Sequence, residues 1–469
     1  MKHNYSSISS VETIVDPMPC ISQLIQDKID EFESMGSEDA FCVGDMGDVI
    51  KKFNKWRELL PRVEPFYAVK CNSDNVVLKT LADLGAGFDC ASKGEISQVM
   101  KLGVDASRII YANPCKQKSF IKYAAKRQVE MMTFDNEAEL IKVKEIFPNA
   151  KLVLRILPVA QVKVQCQLGN KFGCHPSNVY KLLHRAKQLD VDVMGISFHV
   201  GSGVGEAKAF AYAVKQAYDA WQIATELGFR MTLLDIGGGF PGQSNAPITF
   251  TEIAAVVNEA LDTYFPPDES VRIIAEPGRY MVASAFTLVV NIIAKRSIVP
   301  DTADADGSTQ ASSHMYYVND GVYGSFNCIM YDHAHPEPRV ISFSLTQDSP
   351  DRFVSSIWGP TCDGLDCIVP ECKLPELEVG QWMYFADMGA YTIAAGSTFN
   401  GMPRPHFFYI CSEDLWSQVY PEHHVPKRRC ESLSMDADYP LLMTGPDVQS
   451  LREAVSSITC CNEEEVVFA

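Results

Sequence analysis

Between about residues 65 and 280, short apolar runs alternate with longer segments in which apolar residues recur every three or four positions. The short runs lie at 66–69, 87–90, 109–112, 132–134, 152–156, 194–200, 233–236 and 272–275, and their length and spacing predict β-strands. The segments between them predict amphipathic helices. Val77, Leu78, Leu81 and Leu84 share one helical face, with Ser73 placed as the N-cap and Gly85 as the stop. Val179, Leu182, Leu183, Ala186 and Leu189 repeat the pattern, as do Ile253, Val256, Val257, Ala260 and Leu261. Strand–helix alternation implies parallel pairing, and eight such units predict an α/β fold closed into a (β/α)8 TIM-like barrel over residues 46–284. A doubly wound open sheet is the alternative, less suited to bringing eight strand ends together.

After about residue 285 the texture changes. AFTLVVNIIAKRSIV, MYYVNDGVYGSF, VISFSL, FVSSIWG, QWMYFADMGAY and PHFFYICS are rich in β-formers and punctuated by Pro, Gly and Asp. They predict a C-terminal, mainly antiparallel β domain over 285–427. Residues 1–45 are expected to pack on that domain. The run DTADADGSTQASSH at 301–314 reads as a flexible loop, and 428–469, with its Cys460–Cys461 pair, as a flexible tail.

Charge and cysteine content narrow the function classes. A formal net charge of -18 leaves no concentration of Lys and Arg for nucleic acid. No apolar run approaches the roughly 20 residues needed to span a bilayer. The first residues lack the pattern of a secretory signal, so a cytoplasmic protein is expected. None of the 15 cysteines falls in a CxxC pair, and the five-residue spacing of Cys362, Cys367 and Cys372 is not a zinc pattern, so no metal is expected.

Chemistry collects where the predicted strands end. Lys70, Asp89, Arg155, His199, the glycines Gly237, Gly238 and Gly239, and Glu276 all stand there, the face on which barrels of this kind carry their active sites. A lysine ending a strand is placed to form a Schiff base, the more so if desolvation lowers its pKa. HVGSG and LDIGGGFPG offer the Ser202 hydroxyl and glycine amides to an anion, and AEPGRY adds the cation Arg279 beside Glu276, Pro277 and Gly278. A carboxylate such as Glu276 suits pyridoxal phosphate, which withdraws electrons best when its pyridine nitrogen is protonated. His199 could cover a ring face.

FYAVKCN, GFDCAS, YANPCKQ, FHVGSG, LDIGGGFPG, AEPGRY, NDGVYGSFNC, YDHAH, WGPTCDGLD and MGAYT occur in this order, from about residue 40 to about 410. In these motifs the chain resembles the eukaryotic ornithine decarboxylases. The resemblance implies an alanine-racemase-like barrel plus β domain, a homodimer with shared active sites, and decarboxylation of L-ornithine to putrescine. It implies that Lys70 carries pyridoxal phosphate, that His199 stacks on its ring, and that Glu276 meets its nitrogen. Ser202, Gly239, Arg279 and Tyr391 then form the phosphate cradle, Gly237, Gly238, Pro277 and Gly278 also bind the cofactor, and Asp89 and Arg155 are polar residues around it. Tyr331, Asp332 and the second subunit's copy of Asp363 form the substrate site, and Cys362, also across the interface, donates a proton. Together Asp332 and Asp363 offer negative charge to a distal ammonium. Lys171 and Asp366 match an ion pair between subunits. Lys93, Lys122 and Lys142 match an antizyme-binding surface.

Two other readings follow from the same resemblance: a catalytically inactive, antizyme-inhibitor-like binding protein, and a decarboxylase of lysine or another amino acid. Asp89, Arg155, Arg279, Asp332, Cys362 and Tyr391 all stand, which favours an enzyme. The segment LPVAQVKVQCQLGN at 157–170 departs from the acidic loop usual before KFG, and the ending EEEVVFA departs from the degradation-associated ending of vertebrate relatives.

Overall fold

A computed structural model describes residues 10–14, 21–158, 164–166, 171–267, 270–298, 313–341, 352–421 and 427–428 of the chain. The 301–314 loop, apart from its last two residues, and nearly all of the 428–469 tail lie outside the described residues. In chain order the strands are β1 (Val11–Ile14), β2 (Phe41–Asp45), β3 (Val63–Ala68), β4 (Gly87–Cys90), β5 (Ile109–Tyr111), β6 (Met131–Phe134), β7 (Lys151–Arg155) and β8 (Val164–Cys166). There follow β9 (Asp192–Ser197), β10 (Ser202–Val204), β11 (Leu233–Asp235), β12 (Arg272–Ala275), β13 (Phe286–Ile298) and β14 (Ser313–Val318). The last are β15 (Arg339–Val340), β16 (Phe353–Trp358), β17 (Cys367–Leu374), β18 (Trp382–Phe385), β19 (His406–Ser412) and β20 (Lys427–Arg428).

Strands β3, β4, β5, β6, β7, β9, β11 and β12 close into one parallel barrel, so every run assigned to the barrel is a barrel strand. Because side chains alternate across a strand, residues two apart point the same way, and this sets the barrel's internal layers. Phe66, Ile110, Met131, Val153, Leu233 and Ile274 pack together as an apolar plug. Gly87 leaves room for it, since a Cβ there would lie 2.6 Å from the Phe66 ring. Two positions further along the same strands stand Asp89, Thr133, Arg155, Asp235 and Glu276. Polarity thus appears one layer above a dry floor, at the barrel mouth.

The outer helices follow the apolar spacing, with one correction. Helix Asn75–Leu84 is capped by Asp74, not Ser73: the Asp74 carboxylate accepts from the amides of Val76 at 2.8 Å and Val77 at 3.2 Å. A carboxylate also gains from the positive helix end, which a hydroxyl does not match. Gly85 ends this helix at φ 98°, as its position predicts.

The second domain is a large mixed sheet, ordered β17-β16-β14-β13-β2-β19-β1-β20, with β18 paired to β13 and β15. Its long strand β13 pairs antiparallel with β2, β14 and β18. Parallel pairs join β14 to β16, and β19 to both β1 and β2. The N-terminal strands therefore enter this sheet. Helix Ile21–Ser34 covers one of its faces, burying Leu24, Ile25, Ile29 and Phe32 against Phe41, Val289, Trp382 and Ile410. Among the described residues no helix is long and apolar enough to cross a membrane.

Candidate active site

Lys70 follows β3 in a short 3-10 turn, Val69–Cys71, that lifts it to the barrel mouth. Its ammonium contacts the Asp89 carboxylate at 2.5 Å, and Asp89 itself is buried. A lowered Lys70 pKa would have favoured its role as a nucleophile. Desolvation does pull that way, although the side chain is 42% exposed to the open mouth. Asp89, Tyr391 and Glu276 outweigh it and hold the pKa above the ordinary lysine range. Lys70 in this form is a charged ammonium, and a nucleophilic role requires that its proton leave.

Glu276 is buried just beyond the end of β12, and its amide donates to Gly237 O at 2.7 Å. Burial, reinforced by Asp235 and Asp89, holds its carboxyl well above the usual range, against the pull of Lys70 and Arg155. Asp235 is pushed up to about 7, chiefly by burial. These two acids therefore favour holding a proton. His199 is the opposite case: burial, then Arg155 and Lys70, lower its pKa well below that of free imidazole. Its Nδ1 accepts the Gly201 amide at 3.0 Å, which leaves the proton of the neutral ring on Nε2.

Gly237 and Gly239 take positive φ, 63° and 118°. A Cβ on Gly239 would lie 2.6 Å from Gly201 O, and one on Gly238 would lie 2.8 Å from His199 Nε2. Only glycine lets this loop lie against HVGSG. Beside it, the Arg279 guanidinium grips Asp332 through two bonds of 2.7 and 2.6 Å and donates to Ser202 Oγ at 2.9 Å. The Tyr391 ring stands 5.1 Å from the guanidinium. Tyr391 holds φ at 56°, a left-handed conformation that costs a non-glycine residue on the order of 1 kcal/mol and is common at functional sites.

The bidentate pair gives the Asp332 carboxylate a cation from the chain itself. Its negative charge already faces a buried guanidinium, so its attraction for a second cation is reduced. Arg279 and Asp332 also line an open cavity of about 810 Å³ that runs past Gly203, Pro241, Asp387 and Met388. This cavity borders the anion cradle and does not include Lys70 or Glu276.

Other predicted site residues lie apart from this cluster. Tyr331 is 74% exposed. Cys362 is exposed, its amide bonded to Asn400 Oδ1 at 3.1 Å, and Asp363 accepts a hydrogen bond from Tyr323 OH. Asp366 is buried and serves its own loop: Oδ1 accepts from Val322 N at 2.8 Å, and Oδ2 from Thr361 N at 2.9 Å. A Cβ on either Gly321 or Gly359 would lie 2.2 Å from Asp366 Oδ1. Lys171 is exposed, with its ammonium 5.1 Å from the Phe172 ring centre. Of the three surface lysines, Lys93 lies over Tyr123 at 5.2 Å, Lys122 is exposed, and Lys142 is tied to buried Glu139 at 2.5 Å. The divergent 157–170 segment contributes β8, which pairs antiparallel with β10 and places Cys166 opposite Ser202.

Residues 46–283 match the family described as pyridoxal-dependent decarboxylase, pyridoxal binding domain. The chain belongs to this family. Ornithine decarboxylase of Mus musculus is 55% identical over 408 residues, spanning 86% of this chain and 87% of that protein. Antizyme inhibitor 2 of Xenopus laevis is 53% identical over 396 residues, spanning 84% of this chain and 86% of its own. Among solved structures, the Paramecium bursaria Chlorella virus arginine decarboxylase aligns with a TM-score of 0.77 at 35% identity, over 83% of this chain and all of that one.

The barrel mouth fits the cofactor of a pyridoxal-dependent decarboxylase. Arg279 Nε and Asp89 Oδ1 are buried without hydrogen-bond partners, one a donor beside the glycine loop and the other an acceptor beside Lys70. Both are costly to leave so in a finished site. The sequence argument missed Asp235 as a member of this cluster. A charged residue inside the apolar run LLDI was the available signal.

Proposed function

We propose that this chain is an L-ornithine decarboxylase that uses pyridoxal phosphate to release CO2 and putrescine, acting as a homodimer. The observation that carries this reading is the Lys70 ammonium on buried Asp89, in the same mouth as Glu276 and the Arg279 cradle. Lys70 would hold the cofactor covalently, Ser202, Arg279, Tyr391 and the glycine amides its phosphate, and Glu276 its ring nitrogen. When bound, the cofactor supplies an electron sink for the pair left on Cα as CO2 departs.

The chain's own groups have separable tasks. Glu276 would supply its proton at the ring nitrogen and its carboxylate would stabilise positive charge there. Neutral His199 presents a flat face without adding a cation. Asp89 would keep the Lys70 ammonium oriented whenever the lysine is not bonded to the cofactor. The thiol of Cys362 from a second copy is the proton donor to Cα, and Asp363 from that copy meets the distal ammonium. Support for the second copy comes from exposure: Cys362, Leu365 and Tyr331 are presented on the β domain instead of being packed within it. Asp332 and the second copy's Asp363 together supply the negative charge that selects a diamino acid over a neutral one.

Similarity to both a decarboxylase and an antizyme inhibitor makes activity the deciding test. Purified protein assayed with ornithine, lysine, arginine and leucine is expected to release CO2 fastest from ornithine, with a visible absorbance band that Lys70→Ala abolishes. No band and no CO2 would establish the binding-protein reading. Antizyme is the proposed protein partner, meeting Lys93, Lys122 and Lys142; Glu139 pairs with both Lys142 and buried Lys116, so it does not cancel the Lys142 charge. A Lys93→Glu/Lys122→Glu variant should keep activity and lose antizyme binding in a pull-down.

A further inference from the structure

Two ends of the proposed cofactor site, Lys70 and Tyr391, belong to different domains, and one buried side chain ties them together. Asn72 follows the Lys70 turn and is buried. Its Nδ2 crosses to the β domain and donates to Gly389 O at 3.0 Å. Its Oδ1 accepts from Asp74 N at 3.0 Å, and its own carbonyl accepts from Tyr67 OH at 2.9 Å. Next to it, Cys71 O accepts from Tyr391 N at 2.9 Å. The Lys70 turn and the 389–391 segment are thus joined by two adjacent bonds, one made by backbone and one by the Asn72 amide.

The segment so held is constrained. Gly389 packs tightly on the chain, since a Cβ there would lie 1.8 Å from Val282 O. Tyr391 keeps its left-handed backbone between these anchors, with its ring against Arg279. A strained turn persists only where its surroundings over-determine it. The Asn72 amide supplies one such constraint from the barrel side, and the same residue ends the turn that carries Lys70. Asp74, two residues on, accepts from Tyr409 OH at 2.7 Å, adding a further tie between barrel and sheet.

We propose that Asn72 is a positioning residue that sets Tyr391 relative to Lys70, so that one cofactor can be gripped at its ring and at its phosphate at once. The inference rests on the cofactor assignment made above. Its test is a double-mutant cycle on the full chain, read as pyridoxal-phosphate affinity from the visible band. Asn72→Ala and Tyr391→Phe are each expected to weaken binding about tenfold. The double variant should be no more than about twofold weaker than Tyr391→Phe alone, because a displaced Tyr391 has no hydroxyl contact left to lose. Asn72→Ser offers the same cycle with a small polar side chain if the alanine variant does not fold. Unchanged affinity in the Asn72 variants, or fully multiplicative effects in the cycle, would overturn the positioning role. A wild-type chain that never develops the band would overturn the cofactor assignment instead.

Discussion

At the barrel mouth, Lys70 and Arg279 meet Asp89 and Asp332 within the chain, whereas Cys362 and Asp363 sit on a loop of the β domain at its surface. In the first region Lys70 and Asp89 stand where barrel strands end, above the apolar plug, while Arg279 opens a short helix after β12 and Asp332 follows the helix Cys328–Tyr331. The second is shaped by Asp366, which turns its carboxylate inward and leaves Cys362 and Leu365 outside. One region holds charges in pairs; the other offers a thiol and a carboxylate that need something to act upon. The difference teaches that a site can be electrostatically settled in one chain and still be chemically unfinished.

The largest effects should come from separating these regions genetically. Lys70→Ala and Cys362→Ala should each inactivate the dimer. Mixing them with proven subunit exchange should restore roughly a quarter of the wild-type sites, since half the dimers are mixed and each has one intact site. Confirmed exchange without recovery would show that both regions act within one chain. Asp363→Ala is next: kcat/KM for ornithine should fall roughly a hundredfold while the cofactor's visible band is kept. A variant as active as wild type would falsify the role of Asp363 as the ammonium partner.

Arg279→Met tests the settled region. It strands buried Asp332 without its cation, and breaking such a pair costs about 3–5 kcal/mol, so thermal stability of the cofactor-free protein should drop as well as cofactor affinity. A change in affinity alone would mean that Asp332 finds another partner. The smallest effect concerns pH. Asp235, with its pKa raised from 3.8 to about 7, keeps a proton in the folded chain that the unfolded chain releases. Stability from this group is therefore full below the unfolded pKa and is lost as pH rises toward 7, by at most about 1.4 kcal/mol per unit. Urea melts of cofactor-free wild type and Asp235→Asn between pH 4 and 7 should show a flatter dependence in the variant. His199 contributes with the opposite sign below about pH 6.5, because its lowered pKa favours the neutral folded form. It is common to both proteins, and because Asp235 also raises the Glu276 pKa, the comparison reads the Asp235–Glu276 pair.

The barrel was legible because each strand and helix writes its own pattern locally. Its eight strands and the Gly85 stop follow from periodicity, and most of the mouth residues follow from standing at strand ends. The mixed sheet was less so: β2 pairs with β19 and β14 with β16 in parallel, and no local alternation encodes such distant partners. Side-chain pairings across domains were hidden for the same reason. Arg279 and Asp332 were each assigned to a ligand, and only their proximity shows that they hold one another. The direction of the Lys70 pKa was not legible either: Asp89, Tyr391 and Glu276 outweigh desolvation, a balance that depends on distance and not on residue type.

Strand β2 lies between β13 and β19, with Phe41 facing His406 in register. On a ribosome, residues 41–45 emerge early and must wait for nearly the whole chain before their second neighbour exists. The barrel's strands pair mostly with near neighbours in sequence and can form during that wait. Closing so long a loop adds only about 0.6 kcal/mol per doubling of its length, so the delay taxes folding speed more than final stability. In the interval β2 has an open edge that another nascent chain could occupy, which makes crowded synthesis a hazard for this architecture.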